Sequence, residues 1–402
     1  MTTTPVHTFD LGEVGHCPFM PVFGPPALSI ERGVGTEVWD TAGRRYLDFL
    51  SGIAVTSLGH ANPAVAEAIA RQAATLLHVS NFFANPVATR AALDLVGLLH
   101  EATGVAGQVF FTNSGAESNE CAIKLARRAG GPGRHVVVTA LGSFHGRTLA
   151  TLAATGQPAK HEPFAPMPDG FRHVPWADLD AMRSTVDDRV AAVMIESVQG
   201  EGGVHPAPAG YLTGLRRLCD EAGALLVVDE IQTGFARTGR WFGFQHDDVV
   251  PDVVTMAKAM GNGMPVGACW ARTEVAAAFR PGDHGSTYSG TALATAAVSA
   301  VVAEMRRLDA PALARSRGER FAALLAEIPG VRSVRGRGLL LGAELADGIV
   351  AADVYRTLLS RGLICNAVTP TTLRFAPPIT VSETELAEAA DIVREVLAEL
   401  AP

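Results

Sequence analysis

Lysine is almost missing from this chain. Lys124, Lys160 and Lys258 stand against thirty arginines in 402 residues. Arginine has been placed wherever charge alone was needed, so a remaining lysine is a candidate for chemistry that arginine cannot do. An ammonium can lose its proton and form an imine, whereas a guanidinium stays protonated. Closely spaced cysteines are also missing. Cys17, Cys121, Cys219, Cys269 and Cys365 are scattered, which excludes a disulfide scaffold and a zinc site and suits free thiols in a reducing compartment. No stretch approaches ~20 consecutive apolar residues. The start, MTTTPVHTFDLGE, has no basic region followed by an apolar run, so a soluble cytoplasmic protein with no membrane partner is expected. A formal charge of -8 offers no basic field for phosphate backbones, which excludes nucleic acid as a partner. Repeats, heptads and low-complexity segments are absent.

What is present is a globular composition, 48% apolar and 18% charged, on a chain too long for one ordinary core. The runs GQVFFTN, RHVVVTA, AAVMIES, ALLVVDE and DVVTMAK alternate with helical stretches such as AESNECAIKLARRA and YLTGLRRLCDEAG. Short β-branched runs between helical periods read as buried parallel strands, so the fold class is α/β with a mostly parallel central sheet. Residues 65–303 form the expected large domain. Residues 1–64, with a strand pair around TEVWDTAGRRYLDFL, and residues 304–402 form a smaller α+β domain built from both termini.

Three features carry chemistry. In VVDEIQTG an apolar run ends in Asp229, and in open parallel sheets ligands sit beyond the carboxyl ends of strands. The next run ends at Lys258, followed by the glycine-rich AMGNGMP, which suits an imine with an aldehyde cofactor. In FFTNSGAESNECAIK a strand gives way to a helix near Ser114-Gly115-Ala116, where free N–H groups can bind a phosphate. An imine-forming lysine, an acid for a ring nitrogen and a phosphate site are what pyridoxal phosphate needs. The patterns GRGLLLG and GVG lack the strand-helix setting of a dinucleotide fingerprint. Lys124 and Lys160 read as solvated or loop residues, and His145 and His284, beside site motifs, as packed or hydrogen-bonded.

Taken together and in order, SGAES, FHGRT, GEGG, VVDEIQTGFARTG, MAKAMGNGMPVG and HGSTYSG resemble the class III, pyridoxal-phosphate-dependent aminotransferases over roughly residues 20 to 397. The resemblance implies a fold type I homodimer with active sites at the subunit interface. It implies that Lys258 forms the imine and shuttles a proton, that Asp229 partners the pyridine nitrogen, and that Gln232 bonds the phenolic oxygen. By the same likeness Ser114, Gly115 and Ala116 hold the phosphate with Thr287 from the neighbouring subunit, and Phe144 stacks on the ring. Arg147 and Ser286 match substrate positions. Glu201 and Arg374 resemble a switch in which the acid masks the arginine while a long donor is bound and then frees it for 2-oxoglutarate. The activity implied is transfer of a terminal amine, as from N-acetylornithine, to 2-oxoglutarate.

Two departures bear on the donor. Ala84 stands where ornithine-using members carry a tyrosine, and YSGTA, Tyr288 to Ala292, replaces the usual FGGNP. Rival readings are a relative acting on succinylornithine, ornithine, γ-aminobutyrate or a lysine or diaminopimelate derivative, an aminomutase, and a cofactor-binding protein without turnover.

Overall fold

The computed structural model describes residues 19–24 and 26–400, so Cys17 and the first part of the expected 1–64 segment lie outside the described residues. The expected runs form a seven-stranded sheet whose spatial order is 107–112, 267–272, 253–256, 225–229, 190–196, 136–140 and 171–174. Strands 253–256, 225–229, 190–196, 136–140 and 171–174 are mutually parallel. Sequence periodicity missed two members, Phe171–Val174 at the far edge and Gly267–Arg272, the latter running antiparallel to both its neighbours. Its residues GACWAR include small side chains that carry little β signal.

Helices cover both faces of the sheet, which is why the strands read as unbroken apolar runs rather than as alternating ones. Every residue of Val190–Glu196 is buried. Val193, Ile195, Leu226 and Val228 are fully excluded from solvent, each contributing roughly 1.5–3 kcal/mol. The helix Gly115–Gly130 lays Cys121, Ala122, Leu125 and Ala126 on the sheet. Helices Pro63–Ala73, Pro86–Thr103 and Ala292–Arg307 pack together beside the 107–112 edge.

Two smaller sheets flank this layer. In one, Ile30–Val34, Glu37–Asp40 and Arg45–Asp48 form an antiparallel meander, to which Leu363–Ile364 adds in parallel, Leu47 facing Leu363. In the other, Val331–Arg337, Leu340–Leu345, Thr372–Phe375 and Asn366–Thr369 pair antiparallel. GRGLLLG therefore turns a hairpin. The fully buried Arg237 ties the pieces together, donating to the carbonyls of Leu339 and Pro377 at 3.0 and 2.5 Å and to Ser57 Oγ at 2.8 Å. Cys121, Cys219, Cys269 and Cys365 are free and buried.

Candidate active site

Parallel pairing sets the site. Strands 225–229 and 253–256 run side by side with Asp229 opposite Thr255, so Asp229 and Lys258 leave the same sheet edge. Both line a cavity of about 380 Å³, together with Asn113, Ser114, Gly115, Ala116, Phe144, Arg147, Glu196, Glu201 and Gln232. Lys258 opens a short turn at φ +47°. That left-handed conformation is unusual for a side chain with a Cβ and marks a strained position at the site. Burial pushes its ammonium down to about 8, and the Arg374 charge adds to the effect against Glu201, Asp229 and Glu196.

Asp229, buried in the sheet edge, is held by three donors. Asn119 Nδ2 and His145 Nδ1 each donate to Oδ2 at 2.8 Å, and the Ile231 N–H donates to Oδ1 at 3.0 Å. Because a carboxylate only accepts, His145 carries its proton on Nδ1 here. On the neighbouring strand Glu196 faces Asp229 in register. Burial, and then the Asp229 charge, push Glu196 well above the usual carboxylate range, although the Phe144 N–H donates to it at 3.3 Å. Glu230, next to Asp229 in sequence, is bonded instead by Thr233, Gly243 and Phe244. Burial lifts it to about 7.

At the helix start Ser114 caps Glu117 through its side chain, and its carbonyl takes the Ser118 N–H. The first N–H groups of a helix have no partner within it, and those of Gly115 and Ala116 belong to the cavity wall. A Cβ on Gly115 would sit 2.8 Å from Ile231, and one on Gly200 would sit 1.8 Å from Gln232 Oε1. Both glycines are needed for the walls to close up as they do. The Asn113 amide donates to Ser286 Oγ at 3.1 Å. Thr287 is exposed and does not line the cavity.

Opposite the sheet edge, the buried Arg374 meets Glu201 at 2.5 Å, Asn366 Oδ1 at 3.1 Å and Gln232 Oε1 at 3.4 Å. Its Nη2 has no partner. Burial alone would raise the Glu201 carboxyl, but the Arg374 charge and hydrogen bond hold it below its ordinary value. Phe144 carries two cations near its ring, Arg147 Cζ at 5.6 Å and Lys160 Nζ at 5.7 Å from the centroid. Lys160, read from sequence as a loop residue, ends the short turn Pro158–Lys160 and is half-buried.

Of the sequence candidates, Lys258, Asp229, Gln232, Ser114, Gly115, Ala116, Phe144, Arg147 and Glu201 meet in one cavity. Arg374 closes one side through Glu201, and Ser286 hangs from Asn113. Asn119, Glu196 and the bond from His145 were missed. Glu196 ends the run MIES just as Asp229 ends VVDE, and that parallel could have found it. Asn119 and His145 reach Asp229 across 110 and 84 residues, and no local pattern marks such a contact. The site fits pyridoxal phosphate by its own chemistry: an amine-bearing lysine with a lowered proton affinity, an acid at the cavity floor held by three hydrogen bonds, an open helix start and an unpartnered guanidinium N–H.

The sequence matches the aminotransferase class-III family over residues 21–397. It is 46% identical to an acetylornithine aminotransferase of Corynebacterium efficiens over 94% of each chain. It superposes with a TM-score of 0.80 on the N-acetylornithine aminotransferase of Stenotrophomonas maltophilia, 36% identical, covering 94% of this chain and 97% of that one. The ornithine aminotransferase of Toxoplasma gondii, solved with partial occupancy of pyridoxal phosphate at its active site, superposes at 0.88 with 31% identity over 95% and 92%.

Proposed function

This chain belongs to the class III aminotransferases, and from that premise we propose that it transfers the terminal amine of N-acetylornithine to 2-oxoglutarate, with pyridoxal phosphate as cofactor. The observation that carries the reading is the Lys258–Asp229 edge facing a carboxylate-masked arginine across one cavity. The near-full-length likeness to acetylornithine aminotransferases selects the donor. Bound pyridoxal phosphate supplies an aldehyde that condenses with primary amines and a pyridinium ring that takes up electron density.

The chain's residues do the rest. Gly115 and Ala116 N–H groups and Ser114 hold the phosphate, with Thr287 contributed across a homodimer interface. Asp229, which accepts from Asn119, His145 and the Ile231 N–H, would hold the proton on the ring nitrogen. Gln232 would bond the phenolic oxygen, and Phe144 would cover the ring. Arg147, with Ser286 beside it, takes the donor's carboxylate in a charge-assisted pair. With the cofactor bound, Lys258 Nζ would remove the proton from the carbon that bears the reacting amine. Its lowered pKa keeps a share of the amine neutral near pH 7 and so available as a base. During this half Glu201 masks Arg374. In the second half Glu201 releases the guanidinium, which takes the α-carboxylate of 2-oxoglutarate, and Lys258 moves the proton in reverse. Ping-pong kinetics follow. We place the enzyme in the cytoplasm, with residues 65–303 as the cofactor-binding domain and segments 1–64 and 304–402 as the smaller one.

Single-turnover spectroscopy tests this directly. N-acetylornithine should bleach the visible band of the bound cofactor faster than ornithine or γ-aminobutyrate does, and 2-oxoglutarate should restore it. Bleaching by another amine alone keeps the class and overturns the donor.

A further inference from the structure

Cys121 and Cys269 meet on one face of the central sheet, and the proposed transamination uses neither. Cys121 lies on the helix Gly115–Gly130 and Cys269 on the strand Gly267–Arg272. Both are buried in the same apolar cluster, and a hydrogen bond joins their thiols. Together with Phe110, Leu125, Ala276 and Phe279 they line a cavity of about 280 Å³ that shares no residue with the one around Lys258.

His284 stands at this cavity, its ring centre 4.9 Å from that of Phe110 and 5.9 Å from that of Phe279. Lys124 Nζ donates to His284 Nδ1 at 3.1 Å and to the Asp283 carbonyl at 2.8 Å. An ammonium only donates, so the His284 proton sits on Nε2, the nitrogen left to bond the Cys121 sulfur. The bond from Cys269, and then the bond from His284 and the Lys124 charge, pull the Cys121 thiol down to about 6 against its burial. The same pairing holds Cys269 above its ordinary value, as does burial. Burial pushes Cys219 and Cys365 up to about 12. A thiolate beside a protonated thiol is a nucleophile with its resolving partner in place. Apart from Gln108 and the two thiols the cavity walls are apolar, which favours a small uncharged reagent.

We propose that Cys121 and Cys269 form an oxidation site for small neutral hydroperoxides, with Cys121 as the attacking thiolate, Cys269 as the resolving thiol and His284, held by Lys124, as the group that positions the attack. The Cys121 sulfur attacks the peroxide, an S–O bond forms as the O–O bond breaks, and the alkoxide takes up a proton and leaves as the alcohol. Cys269 then attacks the sulfenic sulfur. An S–S bond forms, the S–O bond breaks, and hydroxide leaves as water with the Cys269 proton. Two thiols are oxidised to one disulfide, and the hydroperoxide is reduced to alcohol and water. This site is independent of the donor reading above, because its test reads thiols and not turnover.

The test treats holoenzyme carrying Cys17→Ser with hydrogen peroxide and follows the remaining thiols by mass spectrometry. The 121–269 pair should lose two hydrogens, yield one cross-linked peptide that dithiothreitol separates, and react about 100-fold faster than Cys219 or Cys365, the gain in thiolate share discounted for its weaker nucleophilicity. Cys269→Ser should stop at a sulfenic acid on Cys121, which dimedone captures. His284→Phe keeps the ring packing but removes the donor, so the ultraviolet titration of the Cys121 thiolate should move up by about one pH unit. Melting temperatures establish that each variant folds, and transamination should persist in all of them. Similar rates at all four thiols, oxidation of the pair without a bridge, a dimedone adduct elsewhere than Cys121, or an unmoved titration in His284→Phe would each overturn the proposal.

Discussion

Two arginines are buried to the same degree in this molecule and do opposite work. Arg237 is surrounded by neutral acceptors, the carbonyls of Leu339 and Pro377 and the Ser57 hydroxyl, and burial alone pushes it down to about 9. Arg374 faces a carboxylate that lines the cavity, and each guanidinium keeps one nitrogen without a partner, Nη2 in Arg374 and Nε in Arg237. Backbone carbonyls cannot swing away from a guanidinium, so Arg237 serves as a joint between chain segments. A side-chain acid such as Glu201 can swing away, so under the proposed function Arg374 is a binding group held in reserve. What distinguishes structure from function here is whether the partner can leave, and not how deeply the cation is buried.

Lys258, the remaining buried cation at the site, sets the upper limit for that contrast. Lys258→Arg keeps the charge but cannot form an imine, so the cofactor band should vanish and turnover fall by ~10³-fold or more. A normal band with normal turnover would falsify the site assignment. Next in size, Arg374→Ala should cut kcat/KM for 2-oxoglutarate by about 30- to several-thousand-fold, corresponding to the ~2–5 kcal/mol of a lost buried charge pair. The donor half-reaction and the melting temperature should change little. Arg237→Met should show the reverse pattern. Two orphaned carbonyls and a lost hydroxyl bond should lower stability in urea by about 2–5 kcal/mol, while activity per folded molecule persists. If both arginine variants lose activity at full stability, the division between joint and reserve collapses. The smallest effect is in pH. Only a neutral amine attacks an aldehyde, and Lys258 is lowered from 10.5 to about 8. The rate at which cofactor-free protein takes up pyridoxal phosphate should therefore climb with pH and level off above about 8, which stopped-flow absorbance can follow.

Much of this was readable in the chain itself, for identifiable reasons. The runs ending in Asp229 and Lys258 are buried on both faces, so their apolar continuity survives into sequence. The Ser114–Glu117 cap is local. Glu201 and Arg374 were paired only through resemblance, since 173 residues separate them. Lys160 looked unremarkable because its neighbour Phe144 lies 16 residues back, across the helix Leu149–Ala154 and a turn. Arg237, in FARTG, sits in a polar, glycine-bearing stretch with no apolar period around it, so nothing local announced that it would be buried. Thr287 lies outside the cavity of a single chain, and its proposed role depends on a second copy.

The parallel pairing of Leu363–Ile364 with Arg45–Asp48 has a consequence for biosynthesis. The early meander is left with an open edge until more than three hundred further residues have been translated, an interval on the order of tens of seconds. Asp229 and Lys258 leave the ribosome well before that edge closes, and Arg374 emerges just after. The nascent chain can therefore assemble its reactive floor while the acceptor gate is still unmade, and closing that edge is a late, long-range event that should slow maturation.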